Sequence, residues 1–398
     1  MTLSVCYTAV VRHLTVAVLM VFSSEPCHAQ TLNGVTAVKP ILERITSRNF
    51  PSIFQAWNNC DSLPKEDPYI TLARHDLYFT VPSAFGLKWN NDYNGLADAF
   101  TPDTIKSALH KRTALLQKNP NMIILAEIRY YDAASSYLPE NHDWFMRDPN
   151  GNPIMSWEEG RHWRLDFNNP AFRELVARQA GAAVESGVFD GVMLDWWKDD
   201  EGRLELIKAI QKAIGPQALI VCNANDQKTP DTAPYINGYF MECYSTETAQ
   251  DWERIAETLH WAEQNLRKPT INCLETWYHS SRQDLPLMRA ATTLAMTLSD
   301  GYCLFSDPNP LPKPDHLHDW YSFWDTKAGK PAGAGKRDPK GCYIRAYDNA
   351  IVIYNPMGNA PAAYQFHPPL QSAATGKIST EHTIQPCDGD ILALPINK

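Results

Sequence analysis

The stretch NPAFRELVARQAGAAVESGVFDGVMLDWW, Asn169 to Trp197, contains a helix, a stop, a strand and a reactive strand end in one run. Asn169 offers a side-chain cap, and Pro170 stands at the first helical position, where a missing N–H costs nothing. The apolar spacing that follows predicts an amphipathic helix over Pro170 to Ser186, stopped by Gly187. Gly191–Trp196 (GVMLDW) then reads as a short, near-continuous apolar strand. Such strands are buried on both faces, which is the pattern of a parallel sheet covered by helices. A carboxylate, Asp195, closes the apolar run.

The same unit recurs along the chain. Apolar runs lie at Ser52–Trp57, His75–Val81, Met122–Tyr130, Ala218–Asn223, Gly238–Tyr244, Thr270–Glu275 and Gly301–Ser306. Helical patterns lie at Pro102–Lys118, with Thr101 as N-cap, and near Gly202–Ile214, Thr248–Asn265 and Leu285–Leu298. The connection carrying Pro230 and Pro234 reads as a long loop with little helix. Eight strands alternating mostly with helices predict a closed (β/α)8 TIM barrel. Beyond it, CYIRAY, AIVIYN, KIST and DILALP are short runs with turn signals at Asp348-Asn349 and Asp388-Gly389. They predict a small C-terminal antiparallel β domain. The expected division is a signal peptide over 1–29, a barrel over 30–326, a Gly/Lys/Pro-rich linker over 327–340 and the β domain over 341–398.

The signal-peptide reading rests on Arg12 and His13, the apolar run Leu14 to Phe22, and a small-residue cleavage site ending at Ala29. That run is too short to span a bilayer, and no later segment resembles a span. A secreted or periplasmic location is therefore expected. Of nine cysteines, Cys6 and Cys27 would leave with the signal. Cys222, Cys243, Cys273 and Cys303 lie inside apolar runs and read as buried thiols. Cys342 and Cys387 flank the last domain and could pair in an oxidising compartment. No Cys/His spacing suggests zinc, and His75-Asp76 lacks a second ligand at a suitable spacing. Neither a metal nor an organic cofactor is expected.

The net charge is −9, with no basic run, which argues against nucleic acid as a partner. The 12 Trp and 17 Tyr are more informative, because many of the Trp cluster at predicted strand ends: Trp57, Trp89, Trp144, Trp157, Trp163, Trp196, Trp197 and Trp277. Apolar sugar faces stack on such rings, so an oligo- or polysaccharide is the expected partner.

In barrel enzymes the reacting groups stand where strands end. Read this way, the candidates are Asp195, Glu242 in GYFMECY, Glu275 in INCLETWY, Asp307 after the eighth run, Glu127 and Arg129 on the third, Asn58 after the first, and Asn223 ending the fifth. Carboxylates after apolar runs are costly to bury unless hydrogen-bonded or used. Glycosidic cleavage needs two of them, one to protonate the leaving oxygen and one to attack or to activate water. Asp195 is the expected nucleophile or base; its alternative is a loop cap or a partner for Arg129. Glu242, in the apolar company of Phe240, Met241 and Tyr244, is the expected acid, with Glu275 as rival. Trp57, Asn58, Arg129, Trp196, Trp197, Asn223, Glu275, Trp277 and Asp307 are the expected substrate contacts, with loop shaping as the alternative role for Asp307. Glu127 and Arg129 are expected to face inward as a salt bridge. Arg161, His162, Trp163, Arg164 and Asp166 read as a structured loop held by ion pairs, with binding of substrate hydroxyls as the alternative. No GxSxG, HExxH, Walker or GxGxxG pattern is present.

The sequence AEIRYYDA, HDWFMRDPNGNPI, RLDFNNPAFRELV and SGVFDGVMLDWW, between Ile123 and Trp197, resembles glycoside-hydrolase-like (β/α)8 barrels found in bacterial genomes. In these the DG-hydrophobic-D-W phrase closes the fourth strand. More widely the chain is similar to the α-galactosidase clan, whose fourth strand carries the nucleophilic Asp and whose sixth carries the acid/base carboxylate. That resemblance implies Asp195 and Glu242 in these roles, although Glu stands here where that clan has Asp. The expected activity is glycoside hydrolysis in an extracellular or cell-envelope glycan. The competing expectations are a non-catalytic carbohydrate-binding barrel and a metal-assisted hydrolase.

Overall fold

Eight short parallel strands are built from the apolar runs: β1 (Phe54–Ala56), β2 (Leu77–Thr80), β3 (Ile123–Glu127), β4 (Gly191–Leu194), β5 (Leu219–Asn223), β6 (Gly238–Cys243), β7 (Cys273–Trp277) and β8 (Tyr302–Ser306). They pair in that order in a computed structural model that describes residues 38–157, 160–308 and 314–395. A parallel bridge from Ile53 to Cys303 joins the last strand to the first, so the sheet closes as a barrel. The signal-peptide reading over 1–29 lies outside the described residues. Among the described residues no helix is long and apolar enough to cross a membrane.

Among the described residues, seven α-helices accompany the strands. α1 (Ile41–Ser47) precedes β1, and α2 (Pro68–Ala73), α3 (Pro102–Lys118) and α4 (Pro170–Glu185) lead into β2, β3 and β4. α5 (Glu201–Ile214) leads into β5, α6 (Ala249–Asn265) into β7 and α7 (Leu285–Leu298) into β8. Asn169 caps α4 by accepting from the Ala171 and Phe172 amides, as its sequence position implies. Thr101 precedes α3 but makes no capping bond. Only a single 3-10 turn, Ala233–Tyr235, lies between β5 and β6, in line with Pro230 and Pro234. Gly191 matters for packing, since a Cβ there would stand 2.0 Å from the Leu219 carbonyl oxygen of the neighbouring strand.

Aromatic side chains plug the barrel. Phe54, Phe79 and Phe240 meet at centroid distances of 5.0 to 5.9 Å. Trp57 lies edge-on to Phe79 and Phe240 at 4.9 and 5.9 Å, so it rests on the plug. The four barrel cysteines are buried free thiols.

The segment between β3 and α4 carries a three-stranded antiparallel sheet, Asp132–Ala134, His162–Arg164 and Met155–Trp157, with His162–Arg164 in the middle. At the C-terminus, β9 (Lys336–Arg337), β10 (Tyr343–Ala346), β11 (Ala350–Asn355), β12 (Ala362–Ser372), β13 (Ile378–Ile384) and β14 (Asp388–Ala393) form one sheet in the order β9-β10-β11-β14-β12-β13. The stretch 327–340 is not a free linker. It contributes β9, and Gly329 and Pro331 bridge to Phe50 and Tyr347. Cys342 and Cys387 are both free thiols, because they pack into different apolar clusters.

The sheet covers α7, whose sequence LPLMRAATTLAMTL is apolar on nearly every side. A helix of that kind must be buried all round. Tyr347 and Arg345 donate to the Met296 carbonyl at 2.7 and 3.1 Å, and Arg289 pairs with Asp388 at 2.8 Å. The β domain therefore completes the barrel's outer layer.

Candidate active site

The C-terminal rim of the barrel is where the chain bends hardest. Trp57, Trp196, Asn225 and His316 follow β1, β4, β5 and β8 with φ between 43° and 55°. Non-glycine residues pay for that conformation, and such strain concentrates at functional sites. The left-handed turn at Trp196 lets its amide donate to Asp195 Oδ1 at 2.9 Å.

The strands bring Asp195 and Glu242 together through one amide. Asn223, the last residue of β5, donates from Nδ2 to Asp195 Oδ1 at 2.8 Å and to Glu242 Oε2 at 2.8 Å. Those two carboxylate oxygens are each 2.8 Å from the same atom, so they lie within twice that distance, 5.6 Å, of one another.

His316 sits on the other side of Glu242. Its Nε2 is 3.9 Å from Glu242 Oε1, while its Nδ1 faces both oxygens of Glu275 at 2.9 and 3.1 Å. Its ring packs on Trp57 at 5.0 Å and on Phe240 at 5.8 Å. Burial opposes a charge on this ring, but Glu275, Glu242 and Asp315 outweigh it and push its pKa up to about 10. The upward shift favours the cationic form of the ring, with Nδ1 facing Glu275. Burial likewise pushes Glu242 up to about 8, helped by the charges of Glu275 and Asp195 and opposed by His316 and Asn223. That direction favours the protonated form a general acid needs. Asp195 is also raised, by burial, with Arg129, the Asn223 amide and the Trp196 amide pulling it back. Two carboxyl groups joined by one amide are held in different environments, as an acid and a nucleophile require.

On the β3 side, Glu127 Oε1 is 2.8 Å from Arg129 Nε, and its Oε2 accepts from the Trp57 indole at 2.8 Å. Arg129 also reaches Asp132 at 3.2 Å, and His162 reaches Asp132 at 3.3 Å. The inward Glu127–Arg129 pair read from sequence is present. The polar-aromatic cluster around His162 is a structured element, but strand pairing holds it more than the expected ion pairs do: His162 meets Asp132, while Arg164 lies over the Tyr131 ring at 4.4 Å.

The expected substrate contacts divide. Trp196 is 45% exposed and stacks on Tyr131 at 5.6 Å with planes 23° apart, so it presents a rigid indole to solvent. Trp277 ends β7, half-buried beside exposed Tyr244 at 5.8 Å. Trp57 forms the floor. Asn58 donates to Asp315 and ties two rim loops together.

Three expectations need correcting. Trp197 is 4% exposed, and its indole donates inward to Thr232, because the turn at Trp196 sends the second Trp into the core. Asp307 is buried and gripped by both arms of Arg282, at 2.8 and 2.6 Å, so it braces the rim. Glu275 lies inside β7, which runs on to Trp277, and is wholly buried against Ser306 and His316, so its oxygens face those side chains and not the open cleft. Sequence reasoning missed His316 altogether. Its PDHLHDW context carries no motif, and only the fold brings it to Glu242. His75, read without a partner, meets His318 at 2.9 Å.

Among the described residues, Glu242, Glu275 and His316 are the group whose ligand atoms all lie within 4.8 Å, as a metal ion would need. Glu275 is spent on His316 Nδ1 and Ser306, so an ion would have to be held by Glu242 and by His316 Nε2 in its deprotonated form, against the upward shift of that ring.

Residues 119–201, from the end of α3 through Asp195, match the profile of a family described as hypothetical glycosyl hydrolase family 15. A search of curated proteins returns no match. Among solved structures, the fold is similar to an α-amylase from Malbranchea cinnamomea (10% identity, TM-score 0.50, 89% of this chain and 97% of that one). It is similar to a cyclic α-maltosyl-(1→6)-maltose hydrolase from Arthrobacter globiformis (12%, 0.50, 88% and 99%). It is also similar to a GH27 β-L-arabinopyranosidase from Geobacillus stearothermophilus (11%, 0.50, 89% and 99%). At this identity the likeness is one of fold. The barrel is similar to those of glycosidases, and residues 119–201 are similar to a hypothetical glycosyl hydrolase family.

Proposed function

We propose that this chain hydrolyses an O-glycosidic bond in an extracellular or cell-envelope oligo- or polysaccharide, with retention of anomeric configuration. The observation that carries the reading is the Asn223 amide, which holds oxygens of Asp195 and Glu242 within 5.6 Å. A spacing of about 5–5.5 Å suits direct attack by one carboxylate, whereas about 6.5–9.5 Å leaves room for water. Protonated Glu242 gives its proton to the departing glycosidic oxygen. Asp195 attacks the anomeric carbon as that bond breaks, forming a glycosyl ester. Glu242, now ionised, takes a proton from water, which attacks the same carbon and releases Asp195. The His316 cation steadies Glu242 while it is charged. The signal-peptide pattern supports placement outside the cytoplasm.

The test is a panel of defined glycosides followed by proton NMR of the first-formed anomer, with and without EDTA. The expected result is cleavage that keeps the anomeric configuration and ignores EDTA. Inversion would overturn the direct attack. Loss of activity on chelation would favour a metal held by Glu242 and His316. Binding with no cleavage of any glycoside would make the chain a carbohydrate-binding barrel.

The pH profile follows from the same groups. Glu242 must be protonated and Asp195 ionised. The kcat/KM is therefore expected to fall as pH rises through about 8. Its acidic limb should lie above the ordinary Asp value of 3.8, because Asp195 is raised. A flat profile between pH 7 and 10 would remove Glu242 from the acid role.

A further inference from the structure

A second cavity, of about 580 Å³, opens beside the catalytic groups between the β2 and β3 loops and the three-stranded excursion. That volume is in the range of small-ligand sites. It adjoins the catalytic centre: Glu127, Ile128 and Arg129 line both this cavity and the narrow cleft beside Asp195 and Trp196, and so form the wall between them. Its wall includes Trp89, whose ring is stacked on Phe100 at 4.1 Å and is thus held rigid. Around it are Lys88, Asn91, Asp92 and Ser136, all exposed. The floor is set by Gln179, whose amide donates to the Asn94 and Ala97 carbonyls and whose oxygen accepts from Tyr137.

We infer that this cavity is a subsite for a further, uncharged sugar unit, so that the substrate is an oligosaccharide spanning Trp196 to Trp89. The inference rests on the hydrolase reading for its ligand class. A clamped indole beside short amide and hydroxyl side chains matches a sugar ring, which offers an apolar face and a rim of hydroxyls. The charges argue for a neutral ring. Lys88 shares the wall with Asp92, and Arg129 is already paired with Glu127 and Asp132. Arg129 links the two spaces, so binding in the cavity would be felt at Asp195.

The experiment uses two variants, Trp89→Ala to remove the platform and Ser136→Trp to fill the cavity from its exposed edge without touching the core. Binding of malto-, cello- and galacto-oligosaccharides of one to four units is measured by calorimetry in an Asp195→Asn background, which needs no turnover. Affinity for at least one series should rise between one unit and three. Either cavity variant should cut the ratio of three-unit to one-unit affinity by at least about tenfold, equal to about 1.4 kcal/mol. Equal affinity for one and three units, no binding by any series, or a ratio that moves less than twofold in both variants would overturn the subsite. Failure to cleave glycosides, with length-dependent binding retained, would overturn only the hydrolase reading.

Discussion

Asp195→Asn is expected to lower turnover on any cleaved glycoside by at least about 10³-fold, or about 4 kcal/mol of transition-state stabilisation. The substitution keeps the shape of the side chain and its bond from the Trp196 amide. It removes the negative charge that would attack the anomeric carbon and balance its developing positive charge. Asp195 is raised by burial, so its charge already costs energy in the free enzyme. A loss this large would show that the cost is recovered in the transition state. Glu242→Gln is expected to cost about 10²- to 10⁴-fold, the usual range for general acid–base catalysis. That loss should depend on the leaving group. A sugar leaving group needs the proton from Glu242, whereas a dinitrophenolate leaves without it. The first step with the activated substrate should therefore be nearly spared, while Asp195→Asn should be slow with both. Stopped-flow measurement of the burst phase separates the two patterns. Equal losses for both substrates in Glu242→Gln, or rates within tenfold of the parent in Asp195→Asn, would reverse or dissolve the assigned roles.

The fold was legible where one local cause decides the structure. Strands such as Gly191–Leu194 and Leu219–Asn223 are buried on both faces, so they had to appear as unbroken apolar runs. α4 announced its start with Asn169-Pro170 and its end with Gly187, which has φ of 70°. The largely apolar α7 is buried because the C-terminal sheet covers it. The site was legible to the extent that strand ends are. Asp195 and Glu242 stand at the rim, and Asn223 stands between them. What failed was the choice between neighbours. Trp196 and Trp197 are equivalent in sequence, and a single left-handed residue decides which one meets solvent. Asp307 looked like Asp195, but its burial is balanced by Arg282, which lies on a different loop. Glu275 looked terminal because apolar character ends there, whereas its strand continues for two more residues. His316 comes to Glu242 only through barrel closure, a contact with no signature in local spacing.

The opposite end of the barrel yields the largest stability prediction. Asp190, just before β4, is 5% exposed and lies between Arg44 of α1 and Arg112 of α3. Its Oδ1 accepts from Arg112 Nη2 at 2.6 Å and also from Arg44 Nη2, and its Oδ2 accepts from Arg44 Nη1 and the Ile124 amide, each at 2.9 Å. Each guanidinium donates again to a backbone carbonyl ahead of a strand, Arg44 to Met122 and Arg112 to Val188 in the α4–β4 loop, both at 2.7 Å. One carboxylate thus fixes two helices to the start of the sheet. Burial works against its charge, but the two arginines outweigh it and hold its pKa below the ordinary value. Its folded value is lowered, so its stabilising contribution is present above about pH 3.8 and is lost as pH falls through the folded value. Asp190→Ala removes the shared acceptor and leaves two buried cations facing each other. Breaking a buried pair in this way costs about 3–5 kcal/mol. Urea unfolding of the variant at pH 7 should show a loss of that size. The triple variant Asp190→Leu, Arg44→Met, Arg112→Leu removes all three charges together, and it should recover most of the loss, because apolar groups of similar volume need no partner. A loss under about 1 kcal/mol for Asp190→Ala would mean that water reaches both guanidinium groups and that the helices are held by their apolar faces alone.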